Sequence, residues 1–233
     1  MQSGCTVNRK SFHGGGESKG ARHGVEEGLS VMVKVKICGL TDKGESELLN
    51  RYGADYAGVV LFYPKSKRNM TIEAAKEIIS ALRPEIKKVA VMVSPNLMQV
   101  RACKEAGFDY IQVHGECREE ILEQELLPVF LAANVCDRVE ATAEHEHIAG
   151  YVFDGKLPGN GEVFDWELLK SFDRRGRLLM LAGGLNASNV TEGIRLLQPD
   201  IVDVSSGVEN ENGIGKNAER VREFIEAVRK AEG

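Results

Sequence analysis

The chain has 233 residues, of which 42% are hydrophobic and 28% charged, and its formal net charge is −5. These values are ordinary for a globular protein, and the length suits one α/β barrel or two smaller domains. The negative net charge argues against general affinity for nucleic acids or anionic membranes, although a local basic pocket for a small anion remains compatible with it.

No apolar run approaches the roughly 20 residues that a membrane-spanning helix needs, and residues 1–30 lack the apolar centre of a secretory signal. We therefore expect a cytoplasmic protein that has neither nucleic acid nor membrane as a partner. Its cysteines are odd in number and form no Cys-x-x-Cys pair: Cys5, Cys38, Cys103, Cys117 and Cys136. This pattern predicts free thiols, with no disulfide framework and no metal site.

The first 31 residues differ in composition from the rest of the chain. They are rich in Gly, Ser, Lys, Arg and His and show no hydrophobic periodicity, so they cannot bury enough apolar surface to order themselves. We predict a disordered extension over residues 1–31, with an organelle transit peptide as the minor alternative, and one catalytic domain over residues 32–233. Met32 directly precedes the first predicted strand and is a natural start for that domain.

From residue 33 onward, short apolar segments rich in β-branched residues alternate with amphipathic segments. The predicted strands cover residues 33–38, 56–62, 88–93, 110–114, 129–133, 150–153, 178–182 and 201–205. Helical patterns lie between them, including residues 71–82, 97–106, 187–197 and 218–231. Eight such units in about 200 residues predict a single (β/α)₈ TIM barrel, with a six-unit doubly wound sheet as the alternative.

Two strand ends carry side chains suited to proton transfer. Cys38 ends the first strand, where a thiolate favoured by cations can act as nucleophile or base, although most free cysteines are small buried hydrophobes. Asp154 ends the sixth strand, where a carboxyl group can exchange protons or simply cap a turn. Because the carboxyl ends of barrel strands meet on one face, we expect these two residues to share a site.

Glycine-rich turns follow the last two strands. Gly183 and Gly184 follow the seventh strand, and Ser205, Ser206 and Gly207 follow the eighth. These loops commonly bind phosphate in barrels, because backbone N–H groups point at the anion and glycine lets it approach closely. A phosphorylated small molecule is therefore the expected ligand.

The second strand leads into a basic loop stiffened by proline. Arg68 in this loop can hold a carboxylate through two parallel hydrogen bonds, although a charge run is more often a solvated surface. His114, at the end of the fourth strand, is better interpreted as a hydrogen-bonded strand-end histidine than as a catalyst.

Six motifs together closely resemble the phosphoribosylanthranilate isomerase family of tryptophan biosynthesis, and they occur in that family's order from about Met32 onward. They are KICGLT at 36–41, FYPKSKR at 62–68, QVHG at 112–115, FDW at 164–166, AGGLN at 182–186 and DVSSGVE at 203–209. The resemblance implies an isomerase without metal or organic cofactor. Such an enzyme converts N-(5′-phosphoribosyl)anthranilate to 1-(2-carboxyphenylamino)-1-deoxyribulose 5-phosphate by an Amadori rearrangement, and we expect a monomer or weak homodimer.

The resemblance also implies roles for particular residues. Cys38 would be the general base and Asp154 the general acid, Arg68 would hold the anthranilate carboxylate, and Asp203 would lie near the anthranilate amine. Phosphate would be bound by Gly159, Gly161, Gly183, Gly184, Ser205, Ser206 and Gly207.

One loop departs from the family pattern, because Glu162 stands where a basic residue is usual. A carboxylate there would repel phosphate, which puts the contacts of Gly159 and Gly161 in doubt. Two other functions stay open. One is a phosphate-binding barrel enzyme of tryptophan or histidine biosynthesis, such as indole-3-glycerol-phosphate synthase, which needs strand-end lysines that the predicted strands lack. The other is a silent ligand-binding barrel.

Overall fold

A closed barrel of eight parallel strands forms the body of the protein. The computed structural model describes residues 32–134, 145–154, 165–170 and 172–231. Its barrel strands are β1 Lys34–Cys38, β2 Tyr56–Leu61, β4 Lys87–Val93, β5 Tyr110–His114, β6 Val129–Asn134, β7 Ile148–Asp154, β8 Leu178–Leu181 and β9 Ile201–Val204. The label β3 belongs to a two-residue strand, Asn69–Met70, that pairs with the end of β2. Since β1 pairs with both β2 and β9, the sheet closes on itself, which excludes the open doubly wound alternative.

Among the described residues, five α-helices lie between strands and a sixth follows the last strand. They are α1 Lys43–Tyr52, α2 Ile72–Ser80, α3 Leu97–Ala106, α4 Glu119–Glu123, α5 Val190–Leu197 and α6 Ala218–Ala231, all within the described ranges. The predicted helices at 97–106 and 218–231 are confirmed. The helices predicted at 71–82 and 187–197 are shorter than predicted. Between β7 and β8 the described residues form only a 3₁₀ helix, Trp166–Leu169.

The turns that lead from helices α1 and α3 into the next strand use the same chemistry. Gly53 and Gly107 end the two helices with φ of 79° and 95°, a conformation that glycine adopts without steric cost. Two residues later, the side chains of Asp55 and Asp109 accept hydrogen bonds of 2.8 Å from the backbone N–H groups of the neighbouring strands. These turns are therefore structural. They lie at the amino ends of the strands, whereas the candidate site residues lie toward the carboxyl ends.

The alternation of side chains along each strand separates two apolar layers. Outward-facing residues such as Val35 and Ile37 pack against the helices, whereas inward-facing residues such as Val91, Phe130 and Met180 fill the barrel. Near the amino end of the barrel, inward-facing rings close the interior, with Tyr110 and Phe130 stacked at 5.0 Å between centroids. Polar inward-facing side chains lie nearer the carboxyl end.

Several sequence predictions fall outside the described residues, namely the extension 1–31, Cys5, Cys136, Gly159, Gly161 and Glu162. The domain division at residue 32 stays a prediction. Among the described helices, none is long and apolar enough to cross a lipid bilayer.

Candidate active site

Strand β1 directs Lys36 and Cys38 into the barrel, because residues two apart on a strand face the same side. Cys38 is only 8% exposed. The chain turns directly after it, where the backbone N–H groups of Gly39 and Leu40 both donate to the carbonyl of Gly58, at 2.8 and 3.0 Å. A Cβ atom on Gly58 would lie 2.9 Å from the Cys38 Sγ and 3.2 Å from the Lys36 Nζ, so glycine leaves the space that both groups occupy.

Lys36 forms a buried ion pair with Asp203 on β9. The two residues are direct neighbours in the register of β1 and β9, and the distance from Nζ to Oδ2 is 2.8 Å. Lys36 has no exposed surface, and Asp203 is almost fully buried. The second carboxylate oxygen, Oδ1, is buried without a hydrogen-bond partner among the described residues, as is the side-chain oxygen of Gln112 on β5. Within the described part of the chain, the barrel interior therefore has two oxygen acceptors, Asp203 Oδ1 and the Gln112 side-chain oxygen, that receive no hydrogen bond.

The charged groups around Cys38 shift the pKa of its thiol in opposite directions. Burial raises the pKa of the Cys38 thiol, and Asp203 raises it further, while Lys36 and Lys216 act in the opposite direction. Burial alone would lower the pKa of Lys36, but the attraction of Asp203 and Cys38 outweighs it and leaves that pKa raised. Lys36 is thus a protonated cation at neutral pH, whereas the thiolate of Cys38 is the minor form.

Arg68 lies over the turn that follows Cys38. A Cβ atom on Gly39 would lie 2.5 Å from the Arg68 Cδ and 3.2 Å from the Ser205 hydroxyl oxygen, so these residues are packed together. A two-residue strand, β3 Asn69–Met70, pairs with the end of β2 and returns the basic loop to the barrel. This short strand was not predicted.

Glu209 anchors the basic side chains of this region. Its carboxylate accepts from Arg68 Nε at 2.5 Å, Lys67 Nζ at 3.0 Å and Lys216 Nζ at 3.3 Å. Although burial opposes ionisation, the hydrogen bond from Arg68 and the nearby cations lower the pKa of Glu209 to about 2. The group is therefore a fixed anion that faces three cations.

The two glycine-rich turns predicted to bind phosphate contact each other. Gly183 and Gly184 follow β8 with φ of 81° and 66°, and the side chain of Asn189 donates to the Gly184 carbonyl at 3.0 Å. A Cβ atom on Gly207 would lie 2.0 Å from the carbonyl oxygen of Leu185, so only glycine permits this approach. Both turns lie at the carboxyl ends of neighbouring strands, as a shared anion site requires.

Ser205 and Ser206 differ in their surroundings. The Ser205 hydroxyl donates to the Cys38 carbonyl at 3.0 Å and lies near the Lys216 ammonium group. Ser206 begins the 3₁₀ turn Ser206–Val208. Ser205 therefore connects the phosphate turn to the cysteine strand, whereas the backbone at Ser206 and Gly207 remains suited to anion binding.

Asp154 ends β7 and is partly exposed on the same face of the barrel as Cys38. Its backbone lies opposite Asn134 at the end of β6. His114 at the end of β5 lies 2.9 Å from the side-chain nitrogen of Gln112, as expected for a hydrogen-bonded strand-end histidine. Burial and the positive charge of Lys36 lower the pKa of His114 to about 4, so it is neutral at physiological pH.

The other described cysteines, Cys103 and Cys117, are free thiols, as the sequence predicts. Cys103 is fully buried in the layer between helices and sheet, and burial raises its pKa to about 12. It is a packing residue, and among the three described cysteines Cys38 is the one that lies close to lysine ammonium groups.

Comparison with known proteins identifies the family. Residues 35–227 match the family model described as N-(5′-phosphoribosyl)anthranilate (PRA) isomerase. The chain belongs to this family. The curated N-(5′-phosphoribosyl)anthranilate isomerases of Streptococcus gordonii and Aquifex aeolicus are both 39% identical to it. The first match covers 85% of this chain and 98% of the relative, and the second covers 83% and 97%.

Solved structures of the isomerase family have the same fold. The phosphoribosyl anthranilate isomerase of Thermotoga maritima is 32% identical, with a TM-score of 0.73 over 85% of this chain and 100% of its own. A phosphoribosyl anthranilate isomerase in complex with reduced 1-(o-carboxyphenylamino)-1-deoxyribulose 5-phosphate matches with the same TM-score, identity and coverage of both chains. The family and the barrel fold predicted from the sequence motifs are thereby confirmed.

Three charged residues of this isomerase-family site received no role from the sequence, namely Lys36, Glu209 and Lys216. The signal for Lys36 was its position two residues before Cys38, which places both side chains on the inward face. This buried lysine also bears on the alternative of a lysine-dependent barrel enzyme. Because Lys36 is protonated and paired with Asp203, it does not offer the free amine that such chemistry needs.

Proposed function

We propose that this chain catalyses the Amadori rearrangement of N-(5′-phosphoribosyl)anthranilate to 1-(2-carboxyphenylamino)-1-deoxyribulose 5-phosphate, a step of tryptophan biosynthesis. The observation that carries the proposal is a strand-end thiol beside a buried Lys–Asp pair, in a barrel of the isomerase family. A cytoplasmic location, and a monomer or weak homodimer, belong to the same proposal.

The reaction needs one acid and one base. In the proposed mechanism, the Asp154 carboxyl group donates a proton to the ribose ring oxygen while the bond from that oxygen to C1′ breaks, which gives an open-chain Schiff base. The Cys38 thiolate then removes the proton from C2′, the electron pair of that C–H bond forms the C1′=C2′ double bond, and the π pair of the C1′=N bond moves onto the protonated nitrogen. Tautomerisation of this enolamine returns a proton to C1′ and leaves a ketone at C2′.

The proposed base is held among charges that suit its task. Because burial raises the pKa of Cys38, the thiol is weakly acidic, and a thiolate once formed is a strong base. Lys36 and Lys216 stabilise the thiolate electrostatically without contacting water. We therefore expect the fraction of Cys38 present as thiolate to rise with pH from neutral into the alkaline range, which alkylation of the thiol measures.

The proposed substrate contacts use groups with unused hydrogen-bonding capacity. Asp203 keeps Oδ1 without a partner among the described residues, which suits the N–H of the anthranilate amine. Arg68 would hold the anthranilate carboxylate. The turns containing Gly183, Gly184, Ser206 and Gly207 would hold the phosphate through backbone N–H groups, supported by Ser205 and by Gly159 and Gly161 of the loop after β7.

Turnover of freshly prepared phosphoribosylanthranilate, followed by the loss of its fluorescence, tests this function. Cys38→Ala and Asp154→Ala should each lower kcat by about two orders of magnitude or more, with little change in melting temperature. Cys103→Ala is the matched control for loss of a buried thiol, and it should lower stability but not kcat. A wild-type protein that binds a product analogue without turnover would favour the silent binding barrel instead.

A further inference from the structure

Arg68 is held from two sides although it lies at the mouth of the barrel. Its aliphatic chain packs on Gly39, where a Cβ atom would lie 2.5 Å from the Arg68 Cδ. Its Nε atom donates to the carboxylate of Glu209 at 2.5 Å, and the Arg68 side chain is 14% exposed. A long side chain that normally samples many rotamers is therefore fixed before any ligand arrives.

Glu209 is itself anchored independently of Arg68. Its second carboxylate oxygen accepts from Lys67 at 3.0 Å, and Lys216 donates to the first at 3.3 Å. The Glu209 carbonyl oxygen accepts from an Nη atom of Arg220 at 2.7 Å. Because both its side chain and its backbone are fixed, Glu209 sets the position of Arg68 rather than following it.

The contact between these two residues uses only one edge of the guanidinium group. One oxygen of Glu209 meets Nε, and the other meets Lys67 instead of a second nitrogen of Arg68. The hydrogen bonds of the described residues include none from the two Nη atoms of Arg68. These two nitrogens form the planar fork that binds a carboxylate through parallel hydrogen bonds.

We propose that Glu209 is a positioning residue that fixes Arg68 through Nε, so that its two Nη groups receive the carboxylate on the aromatic ring of the substrate. Glu209 thereby makes the enzyme select substrates that carry this ortho carboxylate. The proposal rests on the role proposed for Arg68 in substrate binding.

The charges at this site support positioning over competition between Glu209 and the substrate. An isolated glutamate beside Arg68 would repel an incoming carboxylate and occupy its binding partner. Here Lys67 and Arg68 carry two positive charges against the single charge of Glu209, so the cluster is net positive even without Lys216, whose pKa is lowered by burial. A carboxylate ligand is therefore attracted to the cluster even with Glu209 ionised.

The test compares two ligands that differ only in the carboxylate. One is reduced 1-(o-carboxyphenylamino)-1-deoxyribulose 5-phosphate, and the other is its phenylamino counterpart without the carboxyl group. In Glu209→Gln, calorimetry should show about tenfold weaker binding of the first ligand and less than about twofold change for the second. Steady-state kinetics of the same variant should show a raised KM and a nearly unchanged kcat.

Glu211→Gln is the matched control, since it removes a carboxylate from the same loop at a side chain that is 94% exposed and forms only a long 3.8 Å ion pair with the half-exposed Arg220 among the described residues. It should leave the affinities for both ligands unchanged. In an Arg68→Lys background, which lacks the fork, Glu209→Gln should cause no further selective loss. If Glu209→Gln does not fold, Glu209→Asp replaces it, because the shorter side chain keeps the charge but withdraws it from Nε.

Three results would overturn the proposal. Equal weakening of both ligands would mean that Glu209 only supports the loop. Tighter binding of the carboxylate ligand by Glu209→Gln would mean that Glu209 competes with substrate. Wild-type protein that folds but binds neither ligand would refute the proposed function itself. This outcome is distinguishable from the first two, because in those the wild-type protein binds the carboxylate ligand.

Discussion

Lys36→Met tests whether the buried cation stabilises the Cys38 thiolate. The Cys38 Sγ and the Lys36 Nζ both lie within 3.2 Å of one point, the position of a Cβ on Gly58, so they are at most about 6 Å apart. At that separation, with an effective dielectric constant of about 20, attraction between thiolate and ammonium is worth about 3 kcal/mol. Since about 1.4 kcal/mol corresponds to a factor of ten, the variant should form the thiolate about 100-fold less often at a given pH.

The assay is the rate at which iodoacetamide alkylates Cys38 between pH 7 and 9, measured by mass spectrometry of the peptide that contains it. The rate reports the thiolate fraction, so Lys36→Met should be alkylated about 100-fold more slowly. Lys34→Met is the matched control, because Lys34 begins the same strand, but its side chain is half exposed and pairs with Asp55. It should leave the alkylation rate unchanged.

The same substitution also affects stability. Without Lys36, the carboxylate of Asp203 is buried without a cation, which typically costs about 3–5 kcal/mol of unfolding free energy. Urea unfolding should show this loss, and Lys36→Met/Asp203→Leu should recover most of it, because both charges are then absent. An alkylation rate for folded Lys36→Met equal to that of wild type would refute the electrostatic argument, whatever the stability.

Three further predictions concern other parts of the chain. Gly39→Ala should raise KM and lower stability more than Gly53→Ala, since both glycines have φ near 80° but only Gly39 touches Arg68; equal effects in kinetics and thermal melts would refute the contact. The unfolded state protonates His114 near pH 6.5 and the native state only near 4, so wild-type stability should fall by about 3 kcal/mol as the pH is lowered from 6.5 to 4. His114→Gln should flatten that slope in urea titrations, and an unchanged slope would contradict it. A chain that starts at Met32 should keep the turnover and melting temperature of the full protein, and a drop in either would show that the domain begins earlier.

The fold could be predicted because periodic patterns report local structure. All eight barrel strands were predicted within two residues of their observed bounds, since each alternates or runs apolar over at least four residues. The strand Asn69–Met70 is too short to show a period. The helix predicted from residue 187 starts at Val190, because Asn186 and Asn189 use their side chains to bond neighbouring backbone groups instead.

From the residues alone, site residues could be predicted only where a reactive type of side chain ends a predicted strand. Cys38 stood out in this way, whereas Asp203 received its role only from the resemblance to a family. Lys36 did not stand out, because a lysine in a strand is usually exposed. Here it is buried because it pairs with Asp203, a residue 167 positions away in the sequence. Glu209 likewise depends on a contact with Arg68 across 141 positions, which no local pattern encodes.

The two groups proposed to bind the anthranilate moiety share one arrangement. Lys36 holds Asp203 through Oδ2, and Oδ1 has no hydrogen-bond partner among the described residues. Glu209 holds Arg68 through Nε, which leaves the two Nη groups to bind a ligand. In each case a buried residue of opposite charge fixes the side chain through one atom, so that less rotamer entropy is lost when the ligand binds. The unmet hydrogen-bonding capacity of Asp203 costs stability in the unliganded protein, and a ligand that supplies the missing N–H recovers it. Selectivity for an aromatic amine with an adjacent carboxylate then follows, because a ligand that lacks either group leaves one of these prepared atoms unpaired.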